Sequence, residues 1–132
     1  MTNQVTITYD KSFCAELKLP DQSSLIIGDP CQGGKAEALS PKDLFAASYG
    51  SCVIMSMDIS AKKAGFDIVG ANITVSPAWA QDKLQLAEVN ASVVLPHKLS
   101  EEQLDILRKG AHNCPIHNSL LPEIKTTLTF EV

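Results

Sequence analysis

Four cysteines (Cys14, Cys31, Cys52 and Cys114) and three histidines (His97, His112 and His117) are the soft nucleophiles, bases and metal ligands of this 132-residue chain. His97, set between Pro96 and Lys98, reads as a solvated turn residue. Two stretches hold the most suggestive of the others: SPKDLFAASYGSCVIMSM around Cys52 and GAHNCPIHNSL around Cys114. In the second, Pro115 suits the first position of a short helix, which makes Cys114 its cap. The sulfur then lies beside unpaired N–H groups at the positive end of the helix, where a thiolate is favoured. Nothing within its own helix distinguishes Cys52 from an inert buried thiol, so its chemistry needs a partner from elsewhere in the chain.

Three chemistries fit these residue types. The run His112-x-Cys114-x-x-His117, with Cys52 as a fourth donor, offers zinc ligands at a spacing that is no specific signature. A Cys-His pair suits nucleophilic hydrolysis if the imidazole reaches the thiol, but no acid or amide that would orient the histidine is identifiable. Two-cysteine redox chemistry needs one activated thiol to attack a peroxide oxygen and a second to resolve the sulfenic acid as a disulfide. Spacing alone leaves the three open. The cysteines are far apart and form no C-x-x-C pair, which argues against a disulfide scaffold or a zinc ribbon.

The elements that must position these residues are legible from patterning. Ser40 as cap, Pro41, Asp43 three residues after the cap and Gly65 as a left-handed stop bound a long helix. Between Leu44 and Met57 it carries no charge, so most of its circumference is shielded from water. That run is shorter than the ~20 residues of a bilayer span and fits a core helix. Phe45, Ser48, Tyr49, Cys52, Met55, Ser56 and Ile59 share one face. Before the helix, alternation predicts a hairpin of Val5–Tyr9 and Phe13–Leu19 about Asp10-Lys11-Ser12, with Cys14 on its polar side, and a short strand over Ser24–Ile27. The loop from Gly28 to Lys35 lacks the spacing of a phosphate-binding loop, and Cys31 is incidental there.

After Gly65, a strand ending at Pro77 and a second over Lys83–Leu95 are expected, with Trp79 anchoring the turn between them. Ser100-Glu101-Glu102-Gln103 is a capping box opening a helix that ends near His112, and Ile124–Val132 alternates as a last strand. Strands and helices are grouped, which implies an α+β fold with mainly antiparallel sheet in a single domain, 1–132. A net charge of −4, no basic cluster and 5% aromatic residues argue against a nucleic-acid partner. The N-terminus has neither basic start nor apolar run, so a cytoplasmic protein is expected, without membrane attachment.

The phrases SPKDLFAASYGSCVIMSM, AKKAGFDIVGANITV and LSEEQLDILRKGAHNCPIHNSL together resemble the OsmC/Ohr family, which includes organic hydroperoxide reductases; the match runs from about Ser40 to Val132. The resemblance implies an intertwined α+β homodimer, with central helices between curved sheets and two sites at the subunit interface. It makes Cys52 the peroxide-attacking and Cys114 the resolving cysteine, with an external thiol as reductant and neither cofactor nor metal. Phe45, Tyr49 and Met55 would line an apolar approach for the hydroperoxide. Peroxidase members also use an N-terminal arginine and a glutamate ahead of the reactive cysteine. Here the only arginine is Arg108 and the glutamate's position is Lys42, followed by Asp43. Lysines such as Lys11, Lys18 or Lys42 can supply charge but not a guanidinium's bidentate geometry. The alternative reading is a non-peroxidase dimer that binds a small apolar or thiol-reactive ligand.

Overall fold

A computed structural model of the protein describes residues 4–11, 13–28, 39–82 and 84–132. The chain divides into two compact units, Met1–Phe45 and Ala46–Val132. The first holds a three-stranded antiparallel sheet of β1 (Ile7–Lys11), β2 (Cys14–Lys18) and β3 (Ser24–Gly28), in that order. Phe13 turns the chain between β1 and β2 with φ of 62°, and the β1–β2 register shifts between Tyr9 and Lys11. Cys14 lies on the same side of β2 as Glu16, as the alternation predicts, but it is buried, 8% exposed, opposite Gly28 and beside Thr8, Asp10 and Glu16. Gly28 N–H donates to the Leu39 carbonyl at 2.9 Å, carrying the chain towards the long helix. Cys31 and the rest of the loop over 29–38 lie outside the described residues.

The long helix, α1, spans Pro41–Lys63. Its start is a reciprocal cap: Ser40 Oγ accepts from Asp43 N at 3.1 Å and Asp43 Oδ2 accepts from Ser40 N at 3.2 Å. Gly65, at φ +90°, ends it in a conformation that side chains resist. The helix as a whole, longer than its uncharged centre, has the length and apolarity to cross a membrane. A third of its most apolar window is buried within the chain, less than the largely shielded circumference expected; Tyr49, Gly50, Val53, Ser56, Met57 and Ala61 are the buried residues.

The second unit also contains a sheet of β4 (Asn72–Trp79), β5 (Leu86–Val94) and β6 (Lys125–Glu131). The β4–β5 pair is antiparallel and the β5–β6 pair parallel. A parallel pair needs a crossover, supplied by α2 (Glu101–Ala111) and α3 (Pro115–Asn118). In the central strand Val89, Ala91 and Val93 are 0–3% exposed and form the core with Met57 and Leu107. The expected end of a strand at Pro77 is corrected. β4 runs through Pro77 to Trp79, because an edge strand tolerates a missing N–H. Trp79 therefore lies in the strand, beside a register irregularity after Ala78, and not in the turn. The turn is closed by Ala80 N–H to the Gln85 carbonyl, so β5 starts later than expected.

Two glycines set how closely the layers meet. A Cβ on Gly50 would lie 2.9 Å from Val75 Cγ2 of β4, and one on Gly110 of α2 would lie 2.6 Å from Ser60 Oγ and 3.1 Å from the Ser56 carbonyl of α1. Backbone contact at these points brings α1 against both the sheet and α2.

Candidate active site

The second thiol is placed by local rules. The Ser100–Gln103 capping box starts α2, His112 caps its end, and Pro115 opens α3 with Cys114 as N-cap in an extended conformation, φ −75° and ψ 116°. Asn118 Nδ2 donates to the His112 carbonyl at 2.9 Å and ties the two helix ends together. Cys114 Sγ accepts the His117 backbone N–H at 3.3 Å and is wholly buried.

Cys52 comes from the middle of α1 and is partly exposed. Burial works against its thiolate, but contacts with the Cys114 thiol, the Ile116 backbone N–H and the Ser56 side chain outweigh that and draw its pKa below the ordinary cysteine value. Cys114 shifts the other way, against the thiolate expected for it at a helix start. Burial and the neighbouring Cys52 sulfur raise it, opposed by the His117 and Ile116 amides. The two sulfurs thus shift in opposite directions, the more accessible one towards the thiolate and the buried one away from it.

Behind the thiols, Tyr49 OH lies 3.2 Å from His117 Nδ1, linking α1 to α3. Burial and Cys114 raise the phenol's pKa; burial and the nearby His112 charge lower that of His117. The His112 and His117 rings meet edge-on, with centroids 5.7 Å apart. Tyr49, His112 and His117, with Arg108 and Thr126, border a cavity of about 230 Å³.

The residues singled out from the sequence are thus distributed unevenly. Cys52 and Cys114 meet, and Tyr49 stands beside them through His117. Met55 is 64% exposed and borders a separate groove with Ile59 and Val69, while Phe45 belongs to the N-terminal unit. Lys42 lies exposed in the first turn of α1, and Lys18, in the N-terminal unit, is 3.7 Å from Glu16. His117 reaches Tyr49, 68 residues away in the chain. Its Nδ1 faces that phenol, and among the described residues no group of three or more His, Cys, Asp or Glu side chains is arranged to hold a metal.

Sequence reasoning placed Ser56 on the Cys52 face without a role, and it gave the free amides at the start of α3 to Cys114 and not to Cys52. The signal for both was present: Ser56 lies four residues after Cys52, and Pro115 leaves the next N–H groups free of helical partners.

The fold and these motifs have known counterparts. No curated protein matches the chain, but 40 solved chains do. One, from Psychrobacter arcticus 273-4, is assigned to the osmotic stress induced and detoxification response; it shares 26% identity over 99% of this chain and 97% of its own, with a TM-score of 0.88. An organic hydroperoxide resistance protein OsmC of Legionella pneumophila shares 17% identity over 100% and 99%, at 0.75. The organic hydroperoxide resistance protein OhrB of Bacillus subtilis shares 21% over 99% and 98%, at 0.71. The family described as OsmC-like protein matches residues 33–129, a stretch that contains both thiols and every side chain placed around them, and the chain belongs to that family.

Proposed function

We propose that the protein reduces organic hydroperoxides at the expense of an external thiol, with Cys52 as nucleophile and Cys114 as resolving cysteine. The observation that carries this reading is the polarised pair: an accessible Cys52 sulfur with lowered pKa, held by the Cys114 thiol, the Ile116 amide and Ser56. In the first step the Cys52 thiolate attacks the distal peroxide oxygen. The S–O bond forms, the O–O bond breaks, and the alkoxide leaves to be protonated as the alcohol. Sulfur is oxidised by two electrons to the sulfenic acid as the peroxide is reduced. Cys114 then attacks that sulfur as a thiolate, forming the S–S bond and releasing the oxygen as water after proton uptake. Two external thiols finally reduce the disulfide to two protein thiols and become a disulfide themselves.

Resemblance to the family supports this reading, as does the naming of the Legionella and Bacillus proteins for organic hydroperoxide resistance. The anion-stabilising task that the family gives to an arginine falls here to the amides at the start of α3 and to the Ser56 hydroxyl. A cytoplasmic homodimer completes the proposal. Exposed Met55, Ile59 and Val69, at 64, 57 and 75%, supply apolar surface for a second copy. Lys42 in place of the family glutamate favours a second reading, a dimer that binds a small apolar or thiol-reactive molecule without turnover.

Mass spectrometry of reduced protein mixed with a slight excess of cumene hydroperoxide separates the two. Peroxidase chemistry gives rapid, selective formation of a Cys52–Cys114 disulfide, and in Cys114→Ser a sulfenic acid that dimedone traps. Oxidation of Cys52 no faster than that of Cys14 or Cys31 would refute it and leave the binding reading.

A further inference from the structure

The cavity behind the thiols is built unlike a peroxide channel. Three of its bordering side chains are cations or can become so: Arg108 and His112 from α2 and its cap, and His117 from α3. Tyr49 and Thr126 add hydroxyls, and among the described residues no carboxylate borders it. Val53, Ala111 and Leu128 supply an apolar wall. We propose that this cavity is a binding site for a small organic carboxylate, its charged end between Arg108 and the two imidazoles and its apolar body against Val53, Ala111 and Leu128.

The state of Arg108 supports this assignment. Its ion pairs with Asp105, at 2.5 Å, and Glu101, at 3.8 Å, both use Nη1; among the described residues these are its ion pairs, and the fork has Nη2 and Nε donors besides. The guanidinium stands over the Phe130 ring, with its central carbon 5.6 Å from the ring centroid, so its plane is held in place before a ligand arrives. Burial and the neighbouring His112 disfavour a charged His117, and a carboxylate beside the two rings, which meet edge-on, offsets both effects. The volume of about 230 Å³ suits a single-ring or short-chain acid better than a long acyl chain.

Calorimetric titration of the reduced full-length protein with sodium benzoate tests the site, with benzyl alcohol and inorganic phosphate as comparisons. Benzoate is expected to bind once per chain, with a Kd of about 1 mM or tighter. Benzyl alcohol, which lacks the charge, and phosphate, which lacks the apolar body, should each bind at least about tenfold more weakly. Arg108→Gln, at a half-exposed helical position where glutamine keeps the helix, should weaken benzoate by about tenfold or more and leave thermal unfolding almost unchanged. Absence of saturable benzoate binding, equal binding by Arg108→Gln, or equal affinity for phosphate would each overturn the assignment. The titration reads heat and not turnover, so its outcome is independent of whether the thiols reduce peroxides.

Discussion

Cys14 and Cys114 are both buried free thiols, 8 and 0% exposed, yet they occupy sites of opposite character. Cys14 sits in the middle strand of the N-terminal sheet, opposite Gly28 and bordered by Tyr9, Ala15 and Ile27. Its surroundings mix these with the polar side chains of Thr8, Asp10 and Glu16, and its strand is paired on both edges. Cys114 sits at a helix start, where backbone N–H groups have no helical acceptors, and its sulfur takes one of them while touching Cys52. Burial alone therefore does not decide a thiol's chemistry: it raises the Cys114 pKa, while the amides beside that sulfur oppose the shift. What matters is whether the local backbone has donors left to give, and a short helix opened by proline leaves several where a strand ladder leaves none.

The largest effect that would break this contrast comes from exchanging the nucleophile. Cys52→Ser should abolish consumption of cumene hydroperoxide, whereas Cys14→Ser should retain most of it. Loss of turnover in the Cys14 variant would mean that the contrast between the two thiol environments is misdrawn. A smaller effect tests the packing that brings α1 to α2. In Gly110→Ala the added methyl meets Ser60 and the Ser56 carbonyl, so a loss of about 1–3 kcal/mol in denaturant stability is expected. Cys52 should then alkylate more slowly, because Ser56 is displaced with its helix.

The smallest change sharpens the comparison at one hydrogen bond. Ser56→Ala removes a donor that favours the Cys52 thiolate, so the Cys52 pKa must rise towards the ordinary cysteine value. Alkylation by iodoacetamide speeds up as pH rises through the thiol pKa. The variant's curve should therefore sit at higher pH than the parent's, with the rate near neutral pH lower by up to about tenfold. Coincident curves would show that Ser56 contributes nothing to the thiolate.

Much of this was legible in the chain. The Ser40–Asp43 cap, the Gly65 stop, the Ser100–Gln103 box and Cys114 as the cap before Pro115 all appear where the sequence places them, because each depends on neighbours within a few residues. Strand limits were less secure. Pro77 ends a central strand but not an edge strand, and whether β4 is an edge depends on the order β4-β5-β6, which local pattern does not encode. The burial of Cys14 was not legible for the same reason: its facing residue, Gly28, is set by strand register.

The chemistry divides along the same line. By itself the sequence determined the helix ends, the apolar centre of α1, the free amides beside Cys114 and the family to which the motifs point. Only the tertiary structure decided that Cys52, in contact with Cys114, is the sulfur with the lowered pKa, that His117 turns its ring to Tyr49, and that the only arginine borders a cavity lined by two histidines. Local elements follow from nearest-neighbour hydrogen bonding and side-chain periodicity, which the sequence spells out residue by residue. A pKa or a binding cavity is a sum over groups distant in the chain, and no spacing records which of them will meet.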